Sequence, residues 1–326
     1  MKPKVLVTRE VFDETLDYLA QHCEVESNQQ DVPLDPETLA QRLKDAGGVM
    51  CCLTDRIDGQ LLARCPQLKV AANIAVGYNN IDLAACTARG VMATNTPEVL
   101  TDTTADLAFT LMLAAARRLT EAEAYVREGN WRGWHLKQLL GVDVHHATLG
   151  IIGMGRIGRV IARRAQGFEM RVIYHDPVRL AADIEQQLKA TYASKDELLA
   201  QADFVILQMP YMPQTHHLIG GAELKKMKPS AILINSTRGG IVDDVALIRA
   251  LKDGTIRAAG LDTFEGEPKL NPGFLELKNV VLAPHIGSST EATRRAMAMT
   301  AAQNAVAALT GGTPPNLLNP EVKSKT

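Results

Sequence analysis

The strongest constraint on this chain is a run near its middle, Thr148-Leu149-Gly150-Ile151-Ile152-Gly153-Met154-Gly155-Arg156-Ile157-Gly158. An apolar strand pattern delivers glycines at Gly153, Gly155 and Gly158 in G-x-G-x-x-G spacing. A helical pattern follows at once through Val160, Ile161, Ala162 and Ala165. Gly153 permits a tight turn, Gly155 a close backbone approach to a pyrophosphate, and Gly158 the packing of helix on strand. The helix N-terminus offers unpaired N–H groups and a partial positive charge to phosphates. The next strand, Arg171-Val172-Ile173-Tyr174-His175-Asp176, ends in an acid 18 residues past Gly158. A dinucleotide-binding fold places the carboxylate for the adenosine ribose hydroxyls about 20 residues on. Strand, glycine loop, helix and acid together predict dinucleotide binding.

A chain of 326 residues is long enough for about two domains. Its 46 % hydrophobic and 22 % charged content is that of a globular protein, and its net charge of −2 gives no general attraction to nucleic acid or anionic membrane. No apolar stretch reaches the ~20 residues of a membrane span. The N-terminus enters a strand pattern directly, without a signal-peptide core. Five cysteines (Cys23, Cys51, Cys52, Cys65, Cys86) without C-x-x-C spacing read as reduced, buried thiols, and the expected location is cytoplasmic.

Before the glycine loop, strand patterns at 4–8, 48–53, 69–74 and 91–95 alternate with helical ones, the pattern of a parallel sheet covered on both faces. Residues 101–128 read as one long alanine-rich helix, capped by Thr101 and Asp102 and suited to cross between domains. From residue 148 six strands are expected: 149–153, 172–176, 204–209, 232–236, 258–262 and 280–284. A final helical pattern, 290–309, is expected to return to the first domain. The fold class expected is α/β, with two doubly wound parallel-sheet domains and a cleft between them. One is a Rossmann dinucleotide-binding domain, 101–289, with 101–147 as crossing helix and dimerisation arm. The other is a flavodoxin-like substrate domain, 1–100 with 290–326.

Three segments end late strands with chemistry-bearing residues. Asn235-Ser236-Thr237-Arg238-Gly239-Gly240 puts a guanidinium, suited to a carboxylate, where open α/β sheets bind ligands; a surface arginine beside a glycine turn fits equally well. Asp262-Thr263-Phe264-Glu265-Gly266-Glu267-Pro268 begins with an acid that needs a partner, such as the amide of a nicotinamide; alone, it reads more readily as an acidic loop. Pro284-His285-Ile286-Gly287 aims a histidine just past an apolar strand, where a carboxylate partner fixes its tautomer. Single histidines are more often structural, but Arg238, Glu267 and His285 converge on one sheet edge.

These three segments, the glycine loop and Val76-Gly77-Tyr78-Asn79-Asn80-Ile81-Asp82 together resemble the D-isomer-specific 2-hydroxyacid dehydrogenase family, from about residue 4 to residue 318. Within it the chain is most similar to bacterial glyoxylate, hydroxypyruvate and 2-ketogluconate reductases. The resemblance implies Arg238, Glu267 and His285 as the catalytic set, with His285 donating a proton, Glu267 as its partner and Arg238 binding substrate. It implies that the Val76 and Gly77 N–H groups grip the substrate carboxylate and that Asp262 meets the nicotinamide amide. Thr104, Arg156, Ile157, Pro210, Thr215, Ser236, Thr237 and Gly287 match positions lining the cofactor site. It further implies a homodimer formed through residues 101–144. Trp131, Trp134 and His135 lie in that arm, either packing the interface or reaching the partner's site.

Asp176 repels the 2′-phosphate of NADP and suits the diol of NAD, and only Arg179 follows it closely, so NADH is favoured with NADPH open. A phosphite dehydrogenase-like activity is the alternative, opposed by Val76 where that enzyme has lysine. An NAD(H)-sensing, corepressor-like binding protein is the alternative of another class. His145-His146 and His216-His217 are expected to point to opposite faces of extended chain, without a third ligand, and no metal site is expected.

Overall fold

The computed structural model describes residues 2–325 and divides the chain into two compact units, Met1–Leu100 with Ser288–Thr326, and Thr101–Gly287. In chain order the first contains β1 (Lys4–Val7), α1 (Asp13–His22), β2 (Glu24–Ser27), α2 (Pro36–Leu43), β3 (Gly48–Cys51), α3 (Gly59–Arg64), β4 (Val70–Asn73), α4 (Leu83–Ala88) and β5 (Met92–Thr94). The second contains α5 (Thr101–Ala116), α6 (Leu119–Arg127), β6 (Thr148–Ile152), α7 (Arg156–Ala165), β7 (Arg171–His175), α8 (Ala182–Leu188), β8 (Ala190–Tyr192), α9 (Lys195–Gln201), β9 (Phe204–Leu207), α10 (Gly221–Leu224), β10 (Ile232–Asn235), α11 (Asp244–Lys252), β11 (Ala258–Leu261) and β12 (Val280–Leu282). The last helix, α12 (Glu291–Leu309), belongs to the first unit.

The first unit is a five-stranded parallel sheet of order β2-β1-β3-β4-β5, the flavodoxin-like arrangement. Alternation along the strands sends side chains to both faces. Val5, Val7, Met50, Val70 and Ala72 pack with α1 and α12 through Leu19, Ala301 and Ala305. Leu6, Val49, Cys51 and Ala71 pack with α2, α3 and α4 through Leu43, Leu62 and Cys86. Thr290 caps α12 by accepting from the Thr293 N–H.

The second unit is a seven-stranded parallel sheet of order β8-β7-β6-β9-β10-β11-β12. Counted within the unit this is 3-2-1-4-5-6 with one strand added, the Rossmann order, and strand order reverses between β6 and β9. Leu149, Ile151, Phe204 and Ile234 face α5 and α7, while Ile152, Val205, Leu207 and Leu233 face α9 and α11. Because every strand is parallel, the loops after β6, β7, β9, β10, β11 and β12 share one edge. Among the described residues no helix is long and apolar enough to cross a membrane. All five cysteines are free; Cys52 is half-buried and the others are buried.

Three sequence expectations need correction. The second sheet has seven strands rather than six, because the three-residue β8 has no apolar run to announce it. β2 is likewise an unannounced polar edge strand, Glu-Val-Glu-Ser. The helix expected over 101–128 breaks after Ala116: Arg118 is left-handed at φ 52°, and the Ala116 carbonyl accepts from the Val142 N–H (2.9 Å) instead of a next helical turn.

Candidate active site

The glycine loop has the geometry its spacing requires. Gly153 stands at φ 99°, where a Cβ would lie 2.2 Å from the Gln208 carbonyl oxygen, and a Cβ on Gly158 would lie 2.3 Å from the Gly153 oxygen. At Gly155, the residue that caps α7, a Cβ would meet nothing within 4 Å. The free space therefore lies in front of the helix N-terminus, where a pyrophosphate needs it. Asp176, just past β7, anchors the tip of the loop. Its Oδ2 accepts from the Met154 N–H (2.8 Å) and its Oδ1 from the Val178 N–H (3.0 Å). Each oxygen keeps a further lone pair for a ribose hydroxyl. The donors, the open cradle and the acid all fit a dinucleotide.

The neighbouring loops are laced together along the same edge. Thr215 Oγ1 donates to the Pro210 carbonyl (2.9 Å) and accepts from the Met212 N–H (2.8 Å), closing the turn after β9. Gln208 Nε2 donates to Ser236 Oγ (3.0 Å), tying the loops after β9 and β10. The segment bearing Arg238 is shaped by Asn235, a residue the sequence reading did not single out. Its Oδ1 accepts from Thr237 Oγ1 (2.7 Å) and its Nδ2 donates to the Arg238 carbonyl (3.0 Å). A buried asparagine ending a strand before a glycine turn was the available signal. Gly239 passes so close to the next loop that a Cβ would lie 1.8 Å from the Phe264 carbonyl oxygen.

Arg238 Nη1 donates to the Thr237 carbonyl (2.7 Å). Burial lowers its guanidinium pKa, and the Glu267 charge opposes that shift. His285 Nδ1 lies 3.0 Å from Glu267 Oε1. When Nδ1–H donates to the carboxylate, Nε2 is left free for a substrate. His285 itself is left-handed at φ 55°, an uncommon conformation for a side chain of this size. Asp262, fully buried, holds it there. The Asp262 carbonyl accepts from the His285 N–H (2.9 Å), and its carboxylate accepts from the Ile286 (2.7 Å) and Gly287 (2.8 Å) N–H groups. Burial raises the Asp262 pKa against the pull of those N–H groups and of His285. The acid expected to need an outside partner thus has two within its own chain. Thr104, buried on α5, packs beside Gly287.

Arg238, Glu267 and His285 therefore gather in the second unit together with Thr104, the glycine loop (Gly153, Gly155, Arg156, Ile157, Gly158), Asp176, Pro210, Thr215, Ser236, Thr237, Asp262 and Gly287. Val76 and Gly77 belong to the first, in the loop after β4.

The expectation that paired histidines diverge is wrong in geometry. His146 and His217 are both left-handed, at φ 61° and 48°, which turns each side chain back toward its neighbour. The His216 and His217 rings stack with centroids 3.8 Å apart, and Glu265 Oε2 lies 3.2 Å from His217 Nε2. The ligand atoms of these three residues lie within 4.8 Å of one another. The rings are only 23° from parallel, so their lone pairs run side by side rather than to one point. His216 Nδ1 is also engaged by the Tyr211 hydroxyl at 3.2 Å. The cluster reads as hydrogen-bonded loop pins.

A Rossmann sheet with an open glycine cradle, and an acid–histidine pair beside a half-buried arginine on its ligand edge, defines a dinucleotide-dependent class of α/β protein. The chain belongs to the D-isomer-specific 2-hydroxyacid dehydrogenase family: residues 109–287 match the family described as "D-isomer specific 2-hydroxyacid dehydrogenase, NAD binding domain". It is 48 % identical over 326 residues to a glyoxylate reductase of Thermococcus gammatolerans, covering 99 % of this chain and 97 % of that one. A crystal structure of a Thermus thermophilus protein superposes with a TM-score of 0.90 at 42 % identity, over 97 % of this chain and 99 % of that one. The NADPH-dependent glyoxylate/hydroxypyruvate reductase of Sinorhizobium meliloti, solved with NADP and malonate, gives 0.88 at 31 % identity, over 99 % and 98 %.

Proposed function

We propose that the protein reduces a small 2-oxo acid (glyoxylate, hydroxypyruvate or 2-ketogluconate) to the D-2-hydroxy acid, with NADH preferred and NADPH usable. The observation that carries this reading is the His285–Glu267 pair beside Arg238 on the edge that also bears the glycine cradle. The nicotinamide of the bound cofactor supplies a hydride to the substrate carbonyl carbon.

The residues of the chain do the rest. His285 gives the Nε2 proton to the carbonyl oxygen as it becomes a hydroxyl, and Glu267 orients the ring through Nδ1 and stabilises its charge. Arg238 holds the substrate carboxylate and polarises the carbonyl, its buried guanidinium acting with little solvent screening. The Val76 and Gly77 N–H groups are assigned to the same carboxylate. Asp262 keeps His285 in register and, through its remaining lone pairs, is assigned to the nicotinamide amide. Gly153, Gly155, Arg156, Ile157 and Gly158 take the pyrophosphate, Asp176 the ribose, and Thr104, Pro210, Thr215, Ser236, Thr237 and Gly287 line the cofactor. No metal takes part.

The same reading assigns the two units their parts, dinucleotide binding to 101–287 and substrate binding to the other. It makes the protein a homodimer through residues 101–144, where Leu119, Val126, Trp131, Trp134, Leu136 and Leu140 are all exposed. Sedimentation at the monomer mass across micromolar concentrations would count against that dimer. Free, mostly buried cysteines support a cytoplasmic location.

The deciding experiment is initial rates with NADH and NADPH against glyoxylate, hydroxypyruvate, 2-ketogluconate and pyruvate. Turnover is expected with at least one of the first three. No oxidation of either cofactor by any of the four would overturn the reading and return attention to phosphite and to NADH-driven assembly.

A further inference from the structure

The loop after β4 is backed by a web of asparagine amides. Asn73, which ends β4, is fully buried, and Asn95, just past β5, is 8 % exposed. Asn95 Nδ2 donates to the Val76 carbonyl at 2.8 Å, and Asn73 Nδ2 donates to the Gly77 carbonyl at 2.9 Å. The carbonyl before them, that of Ala75, accepts from the Thr96 N–H at 2.9 Å. Three successive carbonyls are thus drawn back into the unit.

The Asn73 amide and the Asn95 backbone are themselves held. Asn80 Nδ2 donates to Asn73 Oδ1 (3.2 Å) and to the carbonyls of Cys52 (3.0 Å) and Asp55 (3.1 Å). Asn304, wholly buried on α12, donates to the Asn95 carbonyl at 3.1 Å.

In a planar trans peptide the carbonyl and the following N–H point in opposite directions. Holding the carbonyls of Ala75, Val76 and Gly77 on one side therefore turns the N–H groups of Val76, Gly77 and Tyr78 to the other. Among the described residues none of these three N–H groups donates to the chain. Successive, outward, unpaired N–H groups form a nest for an anion.

We propose that Asn95 and Asn73 are positioning residues for carboxylate binding, Asn95 aiming the Gly77 N–H and Asn73 aiming the Tyr78 N–H, which becomes a third donor to the substrate. This rests on the reading of the protein as a 2-oxo acid reductase. Neither asparagine touches substrate; each acts through the peptide plane it holds. A donor preset in this way loses no orientational freedom when the anion arrives.

The test compares Asn95→Asp, which keeps the shape but loses the donor, with Asn95→Ser, which keeps a shorter donor, and with Asn73→Asp. For each, KM and kcat for glyoxylate, the Kd of oxalate on the NADH-saturated enzyme, and the Kd of NADH are measured. Asn95→Asp is expected to raise the glyoxylate KM and the oxalate Kd at least tenfold while NADH binds within twofold of wild type. Asn95→Ser is expected to lose less, and Asn73→Asp to follow Asn95→Asp. A purely structural role would lower Tm and leave KM unchanged in the folded fraction. A folded Asn95→Asp with both constants within twofold of wild type overturns the proposal. If that variant does not fold, Asn95→Ser and Asn95→Ala carry the comparison, and equal constants overturn it. A wild type that turns over no 2-oxo acid refutes the activity instead; the oxalate measurement then decides the nest by itself, and a wild type that also leaves oxalate unbound overturns both.

Discussion

Glu267 Oε1 lies 3.0 Å from Nδ1 of His285, whose own backbone is left-handed at φ 55°. The pairing leaves Nε2 as the nitrogen that can serve a substrate, and it makes the two residues a unit whose parts have separable effects. His285→Gln removes the proton donor and is expected to lower kcat by about 10²–10⁴-fold. Glu267→Gln retains an acceptor for Nδ1–H but loses the charge that stabilises the ring, for a smaller loss of roughly 10–100-fold. NADH binding should stay within twofold in both. A His285→Gln enzyme with more than a tenth of wild-type kcat would remove this histidine from the chemistry.

The glycine loop separates folding from cofactor binding at the level of one methyl group. A Cβ on Gly153 or Gly158 collides with backbone, whereas on Gly155 it enters open space. Gly155→Ala should therefore keep the wild-type Tm within a degree or two and raise the NADH Kd at least tenfold, because the methyl takes the space proposed for the pyrophosphate. Gly158→Ala should lose stability as well. Unchanged NADH affinity in Gly155→Ala would show that the phosphates lie elsewhere.

In the proposed reading, Asp176 sets cofactor preference. Asp176→Asn keeps an acceptor for only one of the Met154 and Val178 N–H groups, from which Oδ2 and Oδ1 now accept separately, and removes the charge facing a 2′-phosphate. The ratio of kcat/KM for NADPH over NADH is expected to rise about tenfold or more, on the order of 1.4 kcal/mol. A ratio that does not move would assign the preference to other residues.

Asp244 gives the fold a pH dependence of its own. It opens α11, and burial, with Glu265 and Asp243 nearby, pushes its pKa up to about 6, against the pull of the Glu265 N–H and of His217. The folded chain thus holds this proton more tightly than the unfolded chain does, so stability rises as pH falls from about 6 toward 4. Ionisation above that window costs up to about 3 kcal/mol. Asp244→Asn removes this dependence. Its Tm should exceed wild type above pH 6 and the two curves should converge near pH 4. Parallel curves across that range would exclude the effect.

What the sequence reveals here depends on how local the cause is. The glycine loop, Asp176 and the strand-ending motifs are legible because each is a short string whose spacing is set by the backbone it must form. The edge strands β2 and β8 are not, since three or four residues exposed along one side need no apolar run. The break at Arg118 is settled by a hydrogen bond from Val142, 24 residues away. The histidine pairs come together through left-handed backbone at His146 and His217, which side-chain pattern does not encode. Asn235, Asn73 and Asn95 look like ordinary strand-end asparagines until their partners are known.

The return of α12 to the first sheet has a consequence for how the protein is made. On one face Val5, Val7 and Met50 have only Leu19 of α1 as cover until Ala301 and Ala305 reach them. Residues 101–287, by contrast, are contiguous, and domains emerging from the ribosome fold as units. The unit whose synthesis begins first is therefore completed last. During translation its β-strands wait with one apolar face only partly covered while nearly two hundred intervening residues are added. A nascent chain arrested soon after residue 287 has left the exit tunnel should be protease-resistant in its later part and cleavable in its earlier one.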